Sequence, residues 1–204
     1  ISRIMNCVFL CDISGIMAEP WAKAGYVCHL VDIQHPKGIT RNKNIIKYGM
    51  KVEDFKMPKN VKFAVAFPPC TDLAGSGAIW WKQKGDIALK NALDLVNNCW
   101  NKIQKAESYI LENPVGRLSN CWKKPDYYFN PCDYGGYIRK SGVKNTRDAY
   151  TKKTCLWSGG NFVMPDKKSV EPTLGSIMIS NIRNANERSK TPKGFAIAVF
   201  KSNS

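Results

Sequence analysis

Acidic residues are scarce in this chain: 16 Asp and Glu stand against 31 Lys and Arg, a net charge of +15. That imbalance disfavours a cationic partner and favours a polyanion, nucleic acid first. Histidine is scarcer still, with only His29 and His35, and none of the eight cysteines forms a C-x2-C pair. Zinc-ligand spacing is therefore missing, and no metal is expected. No stretch approaches the roughly 18 apolar residues of a membrane-spanning helix, so no membrane is expected among the partners. Nothing of secretory type is found either, because the apolar stretch 4–10 is short and runs at once into Cys11-Asp12. The cysteines (Cys7, Cys11, Cys28, Cys70, Cys99, Cys121, Cys132 and Cys155) are accordingly expected as reduced thiols in a cytoplasm. There is no repeat, no low-complexity tail, no evident linker, no G-x-G-x-x-G and no P-loop.

What the chain does contain is 204 residues, 44% of them hydrophobic, enough for one domain with a core of its own. Residues 4–10 read as a strand. A turn through Gly15 leads to a short helix, with Glu19 and Pro20 in its first turn and Gly25 at its end. A second strand, 26–31, ends at Asp32. This βαβ order predicts an open α/β sheet, mostly parallel, with ligands beyond the carboxyl ends of its strands. Asp32 stands where an acid accepts hydrogen bonds from ribose hydroxyls.

Residues 37–51 are basic and read as a loop or broken helix. Residues 52–55 read as a short strand end carrying Asp54. A strand at 61–66 follows, and then a helix over 86–106. In that helix Ile87, Leu89, Leu93, Val96, Trp100 and Ile103 recur as one apolar face directed at the core. A strand at 108–111 leads into Glu112-Asn113-Pro114, and 151–157 returns as another strand. A helix starts near Thr191-Pro192. Aromatics and lysines interleave over 122–129, a pattern that fits either base stacking or a packed loop. Residues 139–147 form a second basic loop.

Two strand tips are unusual. Phe67-Pro68-Pro69-Cys70-Thr71 sets a cysteine on a stiff mount, because proline fixes its own φ and restricts the residue before it. Glu112-Asn113-Pro114 does the same for a carboxyl group. Both fall on the sheet edge that carries Asp32 and Asp54. A thiolate and an acid beside a nucleotide-type cofactor suit one problem in particular. Cytosine C5 is a poor nucleophile until a thiolate adds at C6 and an acid engages N3, which gives C5 enamine character.

With these motifs the chain resembles the cytosine-C5 DNA methyltransferases, most closely the short forms encoded by bacteriophages and prophages. The resemblance spans nearly the whole chain and implies a Rossmann-like, S-adenosylmethionine-dependent methyltransferase fold. It implies Cys70 as nucleophile at C6, Glu112 as the acid at N3, and Lys153 as a cation near the target base. The loop Asp12-Ile13-Ser14-Gly15 is similar to the family's S-adenosylmethionine loop. Asp32 with Ile33 would hold the ribose side, Asp54 with Phe55 the adenine, and Pro69 would also border the cofactor. Thr71 and Asn113 would touch the substrate. The chain departs from the family pattern at Met17 and Ala18, where two further glycines are usual, at Thr151, which replaces a glutamine, and at Cys155, which replaces an arginine.

The interval between Trp157 and Thr191 is too short for the family's target-recognition domain, so the expectation is one catalytic domain over 1–204. Specificity would then be low or come from a protein partner, and the setting would be the cytoplasm of a bacterial host. Three functions stay open on the sequence. One is cytosine-C5 methylation of duplex DNA. Another is the same chemistry on single-stranded nucleic acid or a free cytidine nucleotide. The last is a degenerate relative that only binds nucleic acid or a partner.

Overall fold

The computed structural model describes residues 4–71, 73, 81–140, 146–176 and 188–204. In chain order they form β1 (Asn6–Leu10), α1 (Glu19–Lys23), β2 (Val27–Val31), β3 (Gly38–Asn42), β4 (Ile45–Gly49) and β5 (Val61–Ala66). Then come α2 (Trp81–Ile103), β6 (Ser108–Pro114), α3 (Leu118–Cys121), β7 (Tyr127–Phe129), β8 (Thr154–Gly160) and α4 (Lys193–Asn203). One sheet of eight strands runs β3-β4-β2-β1-β5-β6-β8-β7. From β4 to β6 every pairing is parallel, whereas β3, β8 and β7 each pair antiparallel to their neighbours. The expected fold class is the one found: mixed α/β, Rossmann-like, with helices on both faces. Successive strands depart in opposite directions from β1, towards β2 on one side and β5 on the other. The crevice beyond their carboxyl ends is the switch point at which such sheets bind ligands.

Alternation along the central strands builds two cores. Cys7 and Phe9 of β1, with Phe63 and Val65 of β5, face Met17 and Trp21 on the α1 side and Phe195, Ala198 and Val199 of α4. Val8, Leu10, Ala64 and Ala66 face the other way, onto Val96, Cys99 and Ile103 of α2. Being buried on both faces is what makes these strands read as unbroken apolar runs. Trp21 stacks on Phe63 at 4.8 Å and meets Phe200 edge-on at 5.1 Å, which ties α1, β5 and α4 together. Burial of each such large apolar side chain contributes roughly 1.5–3 kcal/mol.

Several expectations are corrected. Residues 37–51 form the β3–β4 hairpin, not a loop or broken helix. Its chain reverses at Lys43, which takes a left-handed φ of 52°, and its basic side chains Arg41 and Lys47 stay exposed. Residues 52–54 are a 3-10 turn and not a strand end. The long helix starts at Trp81, is interrupted at Gly85 (φ 68°, ψ −175°) and stops at Ile103. Ile87, just beyond that break, is 76% exposed, so it is no part of the apolar face. Residues 127–129 pair with β8 as an edge strand, and β8 itself runs from Thr154 to Gly160. Among the described residues no helix is long and apolar enough to cross a membrane.

Candidate active site

Beyond the carboxyl ends of β1, β2, β5 and β6 lies a cleft of about 230 Å³. The turn after β1 contributes Asp12, Ile13 and Ser14, and the end of β2 contributes Asp32 and Gln34. The turn after β5 contributes Pro69, Cys70 and Thr71, and β6 contributes Glu112 and Asn113. Lys152 and the segment Ser189, Lys190 and Thr191 close it. Sequence-distant groups thus share one space because parallel strands present all their carboxyl ends along the same edge.

The β1 turn is shaped around a carboxylate. Asp12 Oδ1 accepts from the Gly15 N–H at 2.8 Å and from Ser14 Oγ at 3.1 Å, while its buried Oδ2 has no partner. Burial pushes the Asp12 carboxyl up, and the Gly15 and Ser14 donors oppose this. Gly15 has φ 70°, and a Cβ there would come within 3.0 Å of Leu30, so the tight turn needs glycine. Met17 and Ala18, the departures from the family's glycines, are fully buried in the core under α1. They take no part in the cleft. Asp32 is buried at the β2 tip, and its Oδ1 accepts the Gln34 N–H at 2.7 Å.

The reactive side is held by a clamp. Asn113 Nδ2 donates to the Pro68 carbonyl at 3.0 Å, joining the tips of β6 and β5 and fixing Cys70 relative to Glu112. Asn113 Oδ1 is buried without a partner. Burial raises the Cys70 thiol above its ordinary range, and the Glu112 carboxyl raises it further. The nearby Lys152 ammonium and, to a smaller extent, Arg188 act in the opposite direction. Glu112 is likewise pushed up by burial and drawn back by Lys152. Of the other thiols, Cys7, Cys28, Cys99, Cys132 and Cys155 are buried away from the cleft. Cys11 borders it, but its Sγ lies 4.0 Å from Cys99 Sγ, and that contact together with burial holds the thiol high. Cys70 is set apart by two flanking cations and an acid in the same cleft.

Three placements differ from expectation. Lys153 does not line the cleft: its ammonium lies 4.8 Å over the Tyr128 ring, and the cation beside Cys70 and Glu112 is Lys152. Alternation is the physical reason. Glu112 pairs with Leu156 across the ladder, so even-numbered residues on the approach to β8 share its face and odd-numbered ones take the opposite face. Lys152 is pinned by its own N–H to Asn130 Oδ1 at 3.0 Å and by Nζ to the Arg188 carbonyl at 2.9 Å. Phe55 is 4% exposed and packs edge-on to Tyr48 at 4.9 Å, so its ring is packed in the core and lines neither the cleft nor the depression beside it. Ile33 and Asp54 lie outside the cleft, in a shallow neighbouring depression of about 530 Å³ bordered by Met50 and Glu53. Sequence reading missed Lys152, Gln34 and residues 189–191. The period-2 register from Glu112 was the signal that could have identified Lys152.

Replacing Lys152 with glutamine is expected to move thiolate formation at Cys70 to higher pH, since the charge that most opposes the effect of burial is removed. Alkylation of Cys70 by iodoacetamide across pH, followed on the Cys70 peptide by mass spectrometry, reads this directly. An unchanged profile would separate Lys152 from the thiol.

No protein-family model and no curated protein matches the chain. Among solved structures, it is similar to a protein from Thermoplasma acidophilum, assigned rather than demonstrated to be a methyltransferase. That similarity has 10% identity and a TM-score of 0.44, over 86% of this chain and 72% of that one. A looser similarity, at 10% identity and a TM-score of 0.29, is to the glycopeptide N-methyltransferase MtfA complexed with (S)-adenosyl-L-methionine. It covers 77% of this chain and 65% of that one. At such distances the functional reading rests on the site's own residues.

Proposed function

We propose that the chain is an S-adenosylmethionine-dependent methyltransferase acting on C5 of cytosine in DNA, as a single catalytic domain whose sequence specificity is low or supplied by a partner. The observation that carries this reading is the clamp from Asn113 to Pro68. It brings a cation-flanked thiol and a desolvated acid into one cleft with the carboxylate-built turn of β1.

The residues fit the cofactor. The unpartnered, buried Asp12 Oδ2 lacks a donor, the backbone of Ile13 to Gly15 forms a tight turn, and Asp32 stands at the β2 tip. These groups would hold the amino-acid and ribose portions, and the depression at Ile33 and Asp54 is continuous in sequence with that side. When bound, the cofactor supplies an electrophilic methyl group. Everything else falls to the chain. Cys70 loses its proton, favoured by Lys152 and Arg188, and Sγ adds to C6 of the ring. Glu112 keeps a proton at N3, where negative charge would otherwise collect, so C5 becomes nucleophilic. After C5 is alkylated, water takes the C5 proton, the C6–Sγ bond breaks to release the Cys70 thiolate, and the proton at N3 returns to Glu112, which restores the aromatic ring. Asn113 and Pro68 keep thiol and acid in register throughout.

Calorimetry with S-adenosylmethionine, and mass spectrometry of nucleosides from DNA incubated with protein and cofactor, test the proposal together. 5-Methylcytosine is expected. Cofactor binding with no modified cytosine would overturn the substrate assignment, and no cofactor binding would overturn the enzyme reading.

A further inference from the structure

The aromatic, basic stretch 122–129 separates into two parts with different roles. Trp122 is structural: it packs edge-on to Trp100 at 5.3 Å, tilts against Trp157 at 5.6 Å and donates to Asn97 Oδ1 at 3.0 Å. Lys123 lies 3.5 Å over the Trp100 ring. Tyr127 and Tyr128, on the edge strand β7, are instead 37% and 48% exposed. Phe129, the next residue, is buried and stacks on Phe195 at 4.0 Å, which anchors the strand beneath them. Tyr128 stays nearly half exposed although the Lys153 ammonium lies over its ring. Asp126, two residues before Tyr128, is occupied with the Ser158 N–H at 2.7 Å and Ser158 Oγ at 3.3 Å. Tyr128 pairs with Cys155 and so shares the Lys153 face, opposite Glu112 and Lys152. The platform meets the cleft around the β7–β8 edge, where Lys153 follows Lys152 and Asn130, two residues after Tyr128, holds the Lys152 backbone.

We infer that the β7 rim binds an unpaired nucleic-acid strand leading out of the cleft and around the β7–β8 edge, with a base of that strand stacked on Tyr128 and its phosphate paired with Lys153. An exposed aromatic ring next to an exposed ammonium is the chemistry that grips single strands, where every base offers a π face. In a duplex the neighbouring bases are already stacked on each other and have no use for the ring. The excess of 31 basic over 16 acidic residues supplies the long-range attraction. This inference rests on the cytosine-directed reading and narrows it to unpaired substrate.

The test is fluorescence anisotropy with a labelled single-stranded oligodeoxycytidylate and its duplex. Wild type should prefer the single strand. Tyr128→Ala should weaken that binding about 5- to 150-fold, the range for losing one stacked base, and Tyr128→Phe should restore it. Lys153→Gln should lower the slope of log affinity against log salt by about 0.7. Duplex preference in wild type, or unchanged affinity in Tyr128→Ala, overturns the inference. If Tyr128→Ala fails to fold, Tyr128→Phe and the Lys153→Gln salt slope decide. Cofactor calorimetry on the same variants keeps the two readings apart: failure there removes the methyltransferase assignment and leaves the strand track standing.

Discussion

Cys70→Ser is expected to lose methyl transfer to below detection while binding S-adenosylmethionine as wild type does. The loss should be on the order of 10⁶-fold, the scale on which enzymes suffer when a covalent nucleophile is removed. At 1.36 kcal/mol per decade that is about 8 kcal/mol of transition-state stabilisation. The substitution is nearly isosteric, and the backbone turn it occupies is held elsewhere. The Cys70 carbonyl accepts the Leu73 N–H at 3.0 Å, and the Pro68 carbonyl is held by Asn113. What changes is acidity. Lys152 and Arg188 can favour a thiolate against the cost of burial, but a serine hydroxyl lies far beyond their reach. Transfer of a labelled methyl group to oligonucleotide, with calorimetry as the folding and binding control, measures both halves. Retained transfer in Cys70→Ser would remove the covalent route whatever the cofactor does.

The site's legibility follows from which parts are local. Cys70 and Glu112 could be read because each sits in a short, proline-stiffened strand ending, where chemistry and conformation are encoded side by side. The βαβ start could be read because its strands are buried on both faces and its turn is closed by Gly15. Lys152 was missed in favour of Lys153 because the choice depends on ladder register, set by a partner strand some forty residues away in β6. Phe55 looked like a ligand-facing ring because nothing local shows that Tyr48 will close over it. The β3–β4 hairpin was hidden by its charges: β3 is exposed throughout, so no alternation of apolar and polar residues marks it. The interruption at Gly85 likewise left the apolar period intact in sequence while turning Ile87 out to solvent.

Glu112→Gln is expected to cost about 10²–10⁴-fold in methyl transfer, the range for removing a positioned general acid. Glutamine keeps the shape and can still hydrogen-bond the ring, but it cannot deliver a proton to N3. Two further readouts should move against the loss of activity. The Glu112 carboxyl raises the Cys70 thiol, so its neutral replacement should make Cys70 more readily alkylated at a given pH even as turnover collapses. Stability should respond as well. Burial lifts the Glu112 pKa above its unfolded value, so the wild-type carboxyl favours the fold fully only below that unfolded value. The benefit is lost as pH rises through the folded value. Glutamine carries no such dependence. Thermal unfolding of the variant should therefore gain on wild type as pH rises from the acid range to neutrality. Lower activity with a more reactive thiol and an unweakened fold is a combination that simple misfolding cannot produce. A variant that is both inactive and less stable at neutral pH would instead make Glu112 a structural residue, and the proton at N3 would need another source.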